Sequence, residues 1–128
     1  MRYFLLVLSI CFIFSLTACS TKDAQYYRLH PQALQEVLKN CPQFKSPQIT
    51  CAQLVSVADE VNSLAYQLQR DPQGFGQRIL TLQIKLAQLE VDLKKNSRNA
   101  HLSVQIEQDK QALAEYLAVV KWLESPEK

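Results

Sequence analysis

Histidine and glycine are scarce in this chain of 128 residues, with two of each. His30 and His101 lie in different segments, and neither has a His, Cys, Asp or Glu at one-turn spacing that would complete a metal motif. Gly74-Phe75-Gly76 is too short for a phosphate-cradling loop, and no serine sits in a Gly-x-Ser-x-Gly setting. Asp59-Glu60 is the only adjacent acidic pair. Neighbours on a helix diverge by about 100°, so these two carboxylates read as a solvated face and cannot easily share a substrate. The residue inventory therefore argues against an enzyme, a metal site or a cofactor. No basic stripe with interleaved aromatics is present, which argues against nucleic acid as a partner. No segment alternates polar and apolar residues as a strand does, and so few glycines could not serve a series of tight hairpins. An all-α fold is expected.

What the chain does have is an informative start. Met1 and Arg2 are followed by an apolar run from Tyr3, and Leu16-Thr17-Ala18-Cys19 closes it with small residues before a cysteine. These are the parts of a secretory signal, and the run is shorter than the roughly 20 residues that span a bilayer. The segment resembles the lipobox of bacterial lipoproteins. That resemblance implies removal of a signal peptide, residues 1–18, and lipidation of Cys19, with two or more acyl chains giving stable membrane anchoring. Residues 19–25 then form a polar tether, and residues 26–128 a single periplasmic domain. Ser20 is not acidic, and by resemblance to lipoprotein sorting this implies the outer membrane.

Cys11 falls in the signal segment and Cys19 carries lipid, which leaves Cys41 and Cys51 as a pair in an oxidising compartment. A disulfide is expected. A metal is the alternative, but two thiols with no second pair and no His within a few residues fall short of a ligand set.

Pro31 suits the first position of a short helix whose apolar face is Leu34, Val37 and Leu38, with His30 as its entry residue. Pro42 and Pro47 predict an irregular, stiff loop between the cysteines. Thr50 and Gln53 fit a capping box, with Ile49 and Leu54 placed as a hydrophobic staple. From there Leu54, Val57, Ala58, Val61, Leu64, Ala65 and Leu68 form one stripe to about Gln69. Asp71-Pro72 starts a third helix, in which Phe75, Ile79, Leu82, Leu86, Leu89 and Leu93 make a coiled-coil seam. After a polar turn at 95–99, Leu102, Ile106, Leu113, Tyr116, Leu117, Val120 and Leu123 resume the helical pattern up to Pro126, with a break at Asp109. The expected architecture is a short disulfide-stapled N-terminal helix and a long antiparallel helical hairpin. A second copy covering the seam is the alternative.

Tyr26 and Tyr27 are candidates for an interaction site together with His30. Amphipathic rings beside a lipid anchor suit the membrane interface, and packing on the first helix is the simpler expectation. Tyr26-Tyr27, His30-Pro31, Leu34, Leu38, Cys41 and a second Cys51 after a Pro-bearing loop resemble the entry-exclusion lipoproteins of conjugative plasmids. The resemblance covers Tyr26 to Leu54. It implies a small lipid-anchored protein that works by protein contact with an envelope partner, in conjugation or secretion. A structural coiled-coil oligomer of the envelope is the alternative, with an envelope enzyme behind it.

Overall fold

The computed structural model describes residues 21–124. Cys11, Cys19, Ser20, Pro126 and the signal segment lie outside the described residues. Within them the fold is all-α, with helices α1 (Ala24–Leu29), α2 (Pro31–Lys39), α3 (Cys51–Arg70), α4 (Pro72–Lys95) and α5 (Ala100–Glu124).

The helix boundaries follow local chemistry. Thr50 accepts a hydrogen bond from the Gln53 backbone N–H while the Gln53 side chain accepts from the Thr50 N–H, so two otherwise unpaired donors at the start of α3 are satisfied together. Ile49 and Leu54, on either side of that box, are both buried. Asp71 ends α3 and caps α4, its carboxylate accepting from the Gly74 N–H at 2.9 Å. That cap explains Gly74. A Cβ there would meet Asp71 Oδ2 at 2.1 Å, so a side chain would displace the capping carboxylate; the same addition at Gly76 meets nothing within 4 Å.

Sequence patterning alone assigns residues 19–25 to a tether and leaves no helix before Pro31. The structure has α1 beginning within that segment. Asp23 accepts from the Tyr26 N–H at 2.9 Å and so starts a helix of six residues. Six residues are too few to show a period and too few to hold a helix alone. Burial of Tyr27 beneath α1, against the rest of the core, supplies what local propensity lacks.

The core lies between α1, α2, α3 and the C-terminal half of α5. It comprises Tyr27, Leu34, Val37, Ile49, Leu54, Val57, Val61, Ala65 and Val119, with Phe44, Trp122 and Leu123 packed around it. The Cys41–Cys51 disulfide, with Cα atoms 6.0 Å apart, ties the end of α2 to the start of α3.

α4 and α5 pack as the antiparallel hairpin. Phe75 meets Tyr116 with ring centroids 4.7 Å apart, and Leu86 and Ile106 are buried further along. The seam from Phe75 to Leu93 is thus covered within the chain. Asp109, which interrupts the apolar pattern of α5, is seated in this interface, where its inward oxygen meets Lys85 Nζ at 2.8 Å and, among the described residues, no other hydrogen-bond donor. Glu90 and Lys110 make a second cross-hairpin pair at 3.1 Å. Lys110–Glu90 lies at the surface, where such a pair contributes about 0–1 kcal/mol, whereas the enclosed Asp109 carboxylate depends on Lys85 for its partner and so ties the register of the two helices. Leu86→Ala should cost about 2 kcal/mol, the low end for a leucine cavity, because a two-helix hairpin borders solvent and can partly close. A thermal melt of the variant against the parent reads this directly, and an unchanged midpoint would contradict burial of Leu86 at the seam.

Candidate functional site

The three residues singled out in sequence, Tyr26, Tyr27 and His30, come together at the α1–α2 junction. His30 terminates α1 and precedes Pro31, the first residue of α2, so one residue serves both helices. Its ring stacks on Tyr26 with centroids 4.2 Å apart, and its Nδ1 lies 2.7 Å from the Tyr26 carbonyl oxygen. His30 and the capping geometry explain one another. Pro31 disfavours a helical conformation for the preceding residue, which sits at φ −129° and ψ 70°, and the imidazole folds back to complete the end of α1.

The two tyrosines divide the roles expected of them. Tyr27 points inward and is 4 % exposed, whereas Tyr26 is half-buried and meets Tyr27 edge-on at 5.2 Å. Lys22 Nζ stands 5.7 Å over the Tyr26 ring. Tyr26 and His30 are therefore the outward part of the patch, and Tyr27 belongs to the core.

Burial, and secondarily the neighbouring Tyr26, pushes the Tyr27 phenol above its ordinary value of 10.0. A group whose folded-state pKa is raised adds stability that is complete below the unfolded value and is lost as pH rises through the folded one. Tyr27→Phe should accordingly flatten the fall in melting temperature between about pH 9 and pH 12. Parallel alkaline limbs for the parent and the variant would show that Tyr27 ionises as readily in the folded chain as in the unfolded one, contradicting the raised pKa.

Sequence reading missed the polar node beside this patch. Arg28 Nε lies 2.7 Å from Glu60 on α3 and 4.0 Å from Glu115 on α5, so one guanidinium joins three helices. The Glu60 hydrogen bond is the main reason that the Arg28 pKa is raised above its ordinary value. Burial raises the Glu115 carboxyl, outweighing the pull of Arg28 and of Gln25 beside it. Glu60 reads as a solvated helix face because its partner is 32 positions away. No local spacing rule reports a pair of that separation.

Shallow grooves flank the junction. One, of about 510 Å³, runs between the start of α2 and the end of α5, with His30, Pro31, Ala33 and Trp122 among its walls. The other is bounded by Tyr26, Val37, Phe44 and Pro47. Both grooves mix apolar walls with several polar and charged side chains, Gln32, Glu36 and Lys121 in the first and Lys22, Glu36, Asn40 and Lys45 in the second, a composition suited to a protein segment. Among the described residues, no three of His, Cys, Asp and Glu gather as a metal would require, and no helix is long and apolar enough to cross a membrane. Comparison with family models, with curated proteins and with solved structures finds no match to this chain.

Proposed function

We propose that the chain is a lipid-anchored protein on the periplasmic face of the outer membrane that acts by contact with another envelope protein. The Leu16-Thr17-Ala18-Cys19 lipobox carries the reading. The Cys41–Cys51 disulfide supports it, because such bonds persist in exported proteins. The Tyr26–His30 junction, with a groove on either side, is the contact surface in this reading, and Cys19 sits only a few residues from it in the chain. Contact through this surface would serve conjugation, as entry exclusion of a donor cell, or secretion.

Cys19→Ser tests the anchor. The parent should incorporate a fatty-acid probe and fractionate with the outer membrane, and the variant should lose the label and persist as an uncleaved precursor or soluble protein. Labelling that survives the substitution would remove the basis of the proposal. The same two strains, used as recipients in mating, report exclusion: transfer should be lower into cells carrying the parent than into cells carrying the variant.

A further inference from the structure

With the Phe75–Leu93 seam buried against α5, α4 still carries a second apolar stripe. Leu80, Ile84, Ala87 and Val91 follow one another at steps of four, three and four, about 150° around the helix from the seam. Leu80 is 49 %, Ile84 62 % and Val91 45 % exposed. Among the described elements α4 touches only α5 and α3, and neither covers this face. The flanks carry one charge, where a coiled coil usually carries several: Thr81 and Gln88 stand on one side and Gln83 and Glu90 on the other, all exposed, and Glu90 is paired with Lys110 of α5. Lys85 points away from the stripe and is engaged with Asp109.

We propose that this stripe is a homotypic interface, on which α4 packs antiparallel against α4 of a second copy about a two-fold axis between Lys85 and Leu86. The stripe is complementary to itself in that arrangement. Leu80 faces the second copy's Val91, and Ile84 faces its Ala87, so each large side chain meets a smaller one and the layers fill evenly. Under this two-fold each flank meets the same flank of the second copy, so Gln83 stands beside its Glu90, where the amide can donate to the carboxylate, and Thr81 stands beside its Gln88. No like charges are opposed anywhere along the stripe. A parallel pairing would instead set Ile84 on Ile84 and Ala87 on Ala87, crowding one layer and emptying the next. An unrelated helix has no reason to fit this sequence of sizes, whereas a second copy fits it residue for residue. The contact is about 18 Å long, which places it among small interfaces and makes the dimer a weak one.

Sedimentation equilibrium of the full chain in density-matched detergent, across about 5 to 500 µM, should show reversible dimers. Ile84→Glu and Ala87→Lys each place a charge in an apolar layer, and each alone should raise the dissociation constant at least about tenfold. An equimolar mixture of the two variants should associate again, because the glutamate of one then faces the lysine of the other. Both positions are exposed, so circular dichroism should show the parent's helix content in each variant. A parent that stays monomeric over the whole range would overturn the proposal, as would dimers undiminished by Ile84→Glu, or a mixture that behaves as the sum of its two components.

Discussion

Leu54→Ala should lower the unfolding free energy by about 3 to 5 kcal/mol. Leu54 is the point at which the local and the long-range organisation of the domain meet. It is wholly buried, follows the α3 capping box by one residue, and packs in the cluster that joins α1, α2, α3 and α5. Removing its branched end deletes the apolar contacts of one side chain and leaves a void ringed by helices already pinned by the disulfide and by Arg28. The surroundings cannot close readily over such a void, which places the cost in the upper part of the range for leucine. Val55, the next residue, is 51 % exposed, and Val55→Ala should stay within about 0.5 kcal/mol. Urea titration of both variants makes the comparison. Equal effects would mean that the register of α3 differs by one residue from the one described.

Opening the Cys41–Cys51 bond is expected to cost about 3 kcal/mol, from the loop-closure entropy returned to the unfolded chain. The sequence separation is 10, so the closed loop is short and the gain modest in absolute terms. In a domain of this size it is a sizeable share of the total. The double variant Cys41→Ser/Cys51→Ser should melt at lower temperature than the oxidised parent, and the parent with reductant should match it. If reductant leaves the midpoint where it was, the bond adds nothing beyond the packing around it.

How far the sequence foretold this architecture depends on the range of the interactions concerned. Signals that act over three or four residues were readable: Thr50 with Gln53, Asp71 before Pro72, the stripe from Leu54 to Leu68, and the seam from Phe75 to Leu93 each correspond to a helix start or a buried face. The antiparallel hairpin followed, because the turn between its helices is short. The pairing of Arg28 with Glu60 and Glu115 was not readable, since it is made by the packing of helices distant in sequence. The helix at Ala24–Leu29 was equally hidden, being held by Tyr27 rather than by a repeating pattern. At the candidate site, Tyr26, Tyr27 and His30 were legible as a cluster, but which tyrosine faces inward was not. Adjacent residues on so short a helix give no preferred face until the helix docks. The outer stripe of α4 lay unnoticed for a different reason: a strong heptad on one face of a helix absorbs the apolar residues into a single reading, and Leu80, Ile84 and Val91 belong to the other face.

The domain turns two of its corners on single residues, His30 between α1 and α2 and Asp71 between α3 and α4. Such joints have no slack. One inserted residue would swing the following helix by about 100° and carry its apolar face away from its neighbours. The segment between α2 and α3 is longer, but the disulfide closes it into a fixed ring. That leaves Asn96–Asn99, at the tip of the hairpin and remote from the core, as the place where the described chain can change its length without losing phase. Insertions, tags and the drift of related sequences should collect there, while the rest of the domain keeps its spacing to the residue.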